Sequence, residues 1–125
     1  MQTISQLTDL NSKTAIVTGG AMGIGFGIVY RLAEAGANVV IADMNEEVGN
    51  AAVKKINDSG WKAAFIKTNV ADEAQVKGAV DFAVATYGGL DILVNNAGIY
   101  PIAPVMHMGV ADFEKIIAVN LKSVF

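Results

Sequence analysis

Cysteine is absent from the 125 residues and histidine occurs once. The first absence excludes a disulfide framework and a thiolate nucleophile, and the second leaves too few donors for an ordinary zinc site, so no metal is expected. No Lys/Arg run exists: nine basic residues face twelve acidic ones, for a formal net charge of −3. That balance argues against a nucleic-acid-binding stripe or an anionic-membrane patch and leaves small molecules or protein subunits as the expected partners. No apolar run approaches the roughly 18 residues that cross a membrane. Met1 to Lys13 has neither the basic start nor the apolar segment of a signal peptide, so a cytoplasmic protein is expected. What is plentiful is hydrophobic residues, at 53%, and glycine, at 13. Together they predict a buried sheet joined by tight turns and exclude a disordered tail.

The order of segments is regular. A short β-branched run, a glycine turn, an amphipathic stretch and a closing glycine repeat along the chain, which reads as alternating β and α. Thr14 to Thr18 predicts the first strand, Ile24 to Ala35 a helix ended by Gly36, and Asn38 to Asp43 the second strand. Glu46 to Asp58 predicts a helix with Val48, Ala52, Val53 and Ile56 on one face. Lys62 to Asn69 follows as strand three. Asp72 and Gln75 open the next helix in capping-box spacing, with Val76, Val80, Phe82, Val84 and Tyr87 as its apolar residues. Leu90 to Asn95 predicts strand four, and a last helix begins near Gly109. The fold class is therefore α/β: a Rossmann-type, doubly wound parallel sheet of about four strands with flanking helices, in a single domain over residues 1–125. The last helix runs into Val124-Phe125 without a capping residue, so the sheet is expected to be incomplete and the chain a fragment.

Between the first strand and its helix lies Thr18-Gly19-Gly20-Ala21-Met22-Gly23-Ile24-Gly25. Glycines at 19, 23 and 25 allow a sharp turn, close approach of the backbone to a pyrophosphate, and tight helix-on-sheet packing. The helix N-terminus adds N–H groups and the positive end of its dipole. Asp43 stands at the end of strand two, eighteen positions after Gly25. A carboxylate there accepts from an adenosine ribose and repels a 2′-phosphate, which selects NAD over NADP. Neither Met22 nor Met44 supplies a cation for that phosphate.

With these residues placed, the sequence resembles the short-chain dehydrogenase/reductase family over about residues 11–125. Asn95-Asn96-Ala97-Gly98 is similar to the family's Asn-Asn-Ala-Gly, which by resemblance stabilises the central sheet and borders the cofactor. Asn69-Val70 falls where the family usually has Asp-Val against the adenine; here the acid is an amide, whose oxygen still accepts from an amino group. Val119-Asn120-Leu121-Lys122-Ser123 resembles the segment with the family's catalytic asparagine. The resemblance thus implies that Asn120 holds a water in a proton relay. It also implies NAD as cofactor, bound by Thr18, Gly19, Met22, Gly23, Ile24, Gly25, Asp43, Asn69, Val70, Asn96, Ala97 and Gly98. An alcohol or carbonyl compound would be the substrate, and the complete protein would be a dimer or tetramer.

The family's catalytic Ser and Tyr-x-x-x-Lys are the departure. Glu34, Asp91 and Pro104 stand four residues after Tyr30, Tyr87 and Tyr100, so no such pair exists here. A phenol with an ordinary pKa near 10 has no cation to tune it, and the chain by itself is expected to be inactive. His107, without an acidic neighbour, reads as an exposed or packing residue, and Trp61 as a packing residue. Three functions compete: the cofactor-holding part of an NAD-dependent dehydrogenase, a non-catalytic dinucleotide-binding or subunit-interaction module, and an unrelated Rossmann protein such as a methyltransferase.

Overall fold

The computed structural model describes residues 1–125. Its elements in chain order are α1 (Ile4–Leu7), β1 (Thr14–Thr18), α2 (Gly23–Glu34), β2 (Asn38–Asp43), α3 (Glu46–Asp58), β3 (Lys62–Lys67), α4 (Glu73–Tyr87), β4 (Ile92–Val94) and α5 (Val110–Ile117). A single 3-10 turn over Val105–His107 precedes α5, which continues into a π-helical turn over Ala118–Lys122. No helix is long and apolar enough to cross a membrane.

All four strands are parallel, in the order β3-β2-β1-β4. The alternation of side chains along each strand divides the core into two layers. Val17, Val39 and Ile41 face α2 and α3, where they meet Val29, Ala33, Ala52 and Ile56. Ile16, Val40 and Ala42 face the opposite way, onto Ala79 and Ala83 of α4. Covering on both faces explains why β1 and β2 read as unbroken apolar runs. Two crossovers carry the chain outward from β1 to β2 to β3. The third returns it to the far side of β1, so the strand order reverses between β1 and β4, and a crevice opens there at the carboxyl ends of the strands.

β1, β2 and α3 have the bounds expected from the sequence. β3 stops at Lys67, because Asn69 turns back on itself: its Oδ1 accepts from Ala71 N–H at 3.0 Å. The contact stripe of α4 differs from the expected one, since its buried residues are the small ones, Ala79 and Ala83, whereas Val84 is exposed. Small side chains one turn apart let the helix axis approach the sheet, and the larger residues flank that line of contact. Asp72 caps α4 through Ala74 N–H and Gln75 N–H, while the Gln75 side chain reaches past the cap to accept from Asn69 N–H at 2.8 Å. The four-residue α1, closed by a Thr3/Gln6 capping box, has no counterpart in the sequence pattern.

Only three residues of β4 pair with β1, so their alignment is reinforced at the strand ends. At the amino end, Thr14 N–H donates to Asp91 Oδ2 at 2.8 Å, Asp91 N–H donates to Thr14 O at 2.9 Å, and Lys13 Nζ lies 3.3 Å from Asp91 Oδ1. The Thr14 hydrogen bond, aided by Lys13, holds the Asp91 carboxyl below its ordinary pKa. The depressed value means that the folded state favours the carboxylate. Its stabilisation is therefore complete above the ordinary carboxylate value of about 3.9 and is lost as pH falls through the folded value. We expect Asp91→Asn to lower the urea midpoint at pH 7 and the difference from wild type to narrow below about pH 3; a gap that persists undiminished in acid would rule out the carboxylate as its source.

Candidate functional site

The crevice at the β1/β4 reversal is a cleft of about 670 Å³, within the range of small-molecule sites. Its floor is the loop between β1 and α2. Gly23 adopts φ +55°, a conformation that other residues rarely take, and Gly25 sits where a Cβ would run into Gly19 O and lie 2.6 Å from Asn96 Nδ2. These two positions need glycine for different reasons, one for backbone conformation and one for space.

The N-terminus of α2 contrasts with those of the other helices packed on the sheet. Asn45 caps α3 by accepting from Val48 N–H, and Asp72 caps α4, but Met22 at the start of α2 gives no side-chain cap. The first N–H groups of α2, at Gly23, Ile24 and Gly25, thus have no intramolecular acceptor, and all three residues line the cleft. Such a terminus carries partial positive charge and several free donors, which together suit an anion with several oxygens.

Asn96 fixes this floor. Its Nδ2 donates to Thr18 O at 2.9 Å and to Gly19 O at 3.1 Å. Thr18 Oγ1 in turn accepts from Asn96 N–H and Ala97 N–H, both at 3.0 Å, and lies 3.4 Å from Val94 O. Thr18 and Asn96 therefore interlock the carboxyl ends of β1 and β4, and they place Ala97 and Gly98 on the cleft wall. Asn95, one residue earlier, is exposed and makes no side-chain hydrogen bond.

Asp43 bounds the cleft from β2. Its Oδ2 accepts from Ala21 N–H at 3.1 Å and its Oδ1 from Asn45 N–H at 3.0 Å. A carboxylate has about four acceptor positions, so roughly two remain for a ligand. Asn69 and Val70 line the β3 side. The far wall comes from α5 and its π-helical turn, and Asn120 ties it down: Asn120 Oδ1 accepts from Ile99 N–H at 2.8 Å while Nδ2 donates to Ile99 O at 2.7 Å. The structure thus gathers Gly19, Met22, Gly23, Ile24, Gly25, Asp43, Asn69, Val70, Asn96, Ala97 and Gly98 around one cleft, with Thr18 and Asn120 bracing it from outside its lining.

The stretch Ile99 to Met108, which the sequence suggests as an apolar wall of the crevice, contributes Ile99 and Tyr100 to the lining, and Met44 and Val119 line it too; sequence reasoning did not reach Thr68, Ala71, Lys115 or Ala118. Lys115, Ala118 and Val119 are spaced i, i+3, i+4, so once Asn120 marks this segment, helical spacing points to that face. Nothing in the sequence marks the pairing of Ile99 with Asn120, 21 residues away. His107 is exposed in the 3-10 turn and lies outside the cleft. Burial pushes the Tyr87 phenol above its ordinary pKa, opposite to what a neutral-pH acid/base tyrosine requires. A shallower depression of about 510 Å³ beside Asp9 and Arg31 shares no residue with these motifs.

A family model described as short chain dehydrogenase matches residues 13–125. Cyclopentanol dehydrogenase of Comamonas testosteroni is 44% identical over 116 residues, covering 93% of this chain and 46% of that protein. L-2,3-butanediol dehydrogenase of Corynebacterium glutamicum is 43% identical over 116 residues, covering 91% and 45%. The crystal structure of a dehydrogenase/reductase from Sinorhizobium meliloti 1021 superposes with a TM-score of 0.95 at 40% identity, over 100% of this chain and 50% of that one. The chain spans about half the length of the relatives it matches.

The two adjacent asparagines allow a controlled test of the junction. Asn96→Ala, which removes the two hydrogen bonds that Nδ2 donates to Thr18 O and Gly19 O, is expected to cost roughly 1–3 kcal/mol in urea denaturation. Asn95→Ala is expected to stay within about 0.5 kcal/mol of wild type. Equal effects of the two substitutions would remove Asn96 from its structural role.

Proposed function

Because this chain belongs to the short-chain dehydrogenase family, we propose that it is the NAD(H)-holding part of an oxidoreductase acting on an alcohol or carbonyl substrate. The observation that carries this reading is the uncapped N-terminus of α2 facing the same cleft as the Asp43 carboxylate. Free donors at Gly23, Ile24 and Gly25 suit a pyrophosphate, and the open acceptor positions of Asp43 suit the two hydroxyls of an adenosine ribose.

The bound nicotinamide supplies the hydride donor or acceptor. The residues of this chain bind and orient. We assign Thr18, Gly19 and Met22 to the shape of the pyrophosphate loop, Asn69 and Val70 to the adenine, and Asn96, Ala97 and Gly98 to the wall nearest the β1/β4 reversal. Asn69 Oδ1 spends one lone pair on Ala71 N–H and keeps the other for an amino group. The Asn120 amide is committed to Ile99 at both ends. Its part in a proton relay would therefore fall to its main-chain carbonyl in the π-helical turn.

The substrate class draws support from the names of the relatives, which are dehydrogenases of cyclopentanol and of 2,3-butanediol, both secondary alcohols. The segment from Ile99 to Met108 presents Tyr100, Ile102, Val105 and Met106 to solvent as an apolar wall beside the cleft. Phe113, Ile117 and Leu121 are also exposed, on α5 and the turn that follows it. We assign that face to assembly into a dimer or tetramer. Since no tyrosine here is followed by lysine at the fourth position, these residues by themselves hold cofactor without transferring hydride. A purely dinucleotide-binding module shares this step and differs only in never meeting a catalytic tyrosine.

Cofactor choice is the accessible test. A 2′-phosphate would face the Asp43 carboxylate with Met22 and Met44 beside it, a like-charge contact that costs several kcal/mol where water is excluded. Fluorescence titration of the chain is expected to show NADH bound at least about tenfold more tightly than NADPH. Equal affinities, or a preference for NADPH, would overturn the assignment of Asp43.

A further inference from the structure

Asp43 makes contacts that a ribose reader does not need. Its two carboxylate oxygens are divided between two backbone donors: Oδ2 takes Ala21 N–H, in the middle of the glycine loop, and Oδ1 takes Asn45 N–H, the residue that caps α3. A hydrogen-bonded chain therefore runs from the loop through Asp43 to Asn45, and on through Asn45 Oδ1 to Val48 N–H. The loop has one further tie to β2, from Gly19 N–H to Ala42 O at 2.8 Å. Between Gly20 and Met22, the Ala21 contact is the one side-chain hydrogen bond that fixes the loop.

We infer that Asp43 is a positioning residue for the pyrophosphate loop as well as a ribose contact, so that it acts on the dinucleotide partly through Ala21. This rests on the reading of the cleft as a dinucleotide site. Two physical consequences follow. Backbone N–H groups bonded to an ionised carboxylate are held more firmly than by a neutral acceptor, so the loop is set before ligand arrives and less order is lost on binding. A carboxylate anchored at both oxygens also cannot swing aside to admit a 2′-phosphate without breaking both bonds, which makes the exclusion of that group stiff.

The test separates the two roles with a ligand that lacks one of them. A reduced dinucleotide without the 2′ and 3′ hydroxyls on its adenosine ribose keeps the pyrophosphate but cannot use Asp43 as a ribose contact. Wild type, Asp43→Ala and Asp43→Asn are titrated with NADH and with this analogue by fluorescence, and exchange of the Ala21 amide is followed by NMR. Unchanged protection of the Val17 and Ile41 amides shows that the sheet is intact. If Asp43 positions the loop, Asp43→Ala weakens the analogue by at least about threefold, and Ala21 exchanges faster. Asp43→Asn has one oxygen to serve two donors, and falls between wild type and Asp43→Ala. If Asp43 only reads the ribose, NADH in Asp43→Ala weakens to the level of the analogue while the analogue itself is unaffected, and the proposal fails. If neither dinucleotide binds wild type, the cofactor reading fails instead; the positioning role is then upheld by faster Ala21 exchange in Asp43→Ala and overturned by unchanged exchange.

Discussion

The hydrogen bonds between Thr18 and Asn96 set the geometry on which the rest of this molecule depends. β4 is too short to align itself on β1 by ladder pairing, and the loop after β1 has two glycines with positive φ, at Gly19 and Gly23, so neither segment is rigid by itself. Asn96 removes both freedoms at once by donating to the carbonyls of Thr18 and Gly19, while Thr18 Oγ1 collects the N–H groups of Asn96 and Ala97. The cost of ordering these segments is thereby met within a few residues, and the cleft inherits a fixed floor.

The two strand ends of the β1/β4 pair are held by different chemistry. At the amino end the lock is ionic, an Asp91 carboxylate shared between Thr14 N–H and Lys13. At the carboxyl end it is neutral, an amide and a hydroxyl. The difference suits the position of each. Asp91 lies on the side of the sheet away from the cleft, where a charge disturbs nothing, whereas Asn96 lies beside the N-terminus of α2. A fixed anion there would occupy the donors that the site leaves open.

The helices divide in the same way. α3 and α4 satisfy their first N–H groups with Asn45 and Asp72 and serve as covering elements for the sheet. α2 forgoes a cap, and the stabilisation a cap would have contributed, about 1 kcal/mol, is absent where the cleft needs exposed donors. Asn120 plays a comparable part on the far wall, where its amide closes on both polar groups of Ile99 and joins the π-helical turn to the loop after β4. Each of these departures from a locally optimal helix borders the cleft, and the regular elements lie behind it.

By itself the sequence determined the elements and their alternation, because a strand buried on both faces must be apolar throughout and a helix over a sheet must carry its apolar residues at helical spacing. β1, β2 and α3 are legible to the residue for that reason. The glycine loop, Asp43 and Asn96 were legible as well, since each sits next to a strand end whose position the pattern fixes. Tertiary structure alone decided what those side chains hold. That Asp43 reaches Ala21, Asn96 reaches Gly19, and Asn120 reaches Ile99 are facts about residues 22, 77 and 21 positions apart. It also decided that alanines, and not the larger residues of α4, form the line of contact, because the closeness of a helix to a sheet is set by the pair of surfaces together. Periodicity reports which face of an element is buried; the partner of a polar group depends on how the strands are ordered, and that order is a property of the whole sheet.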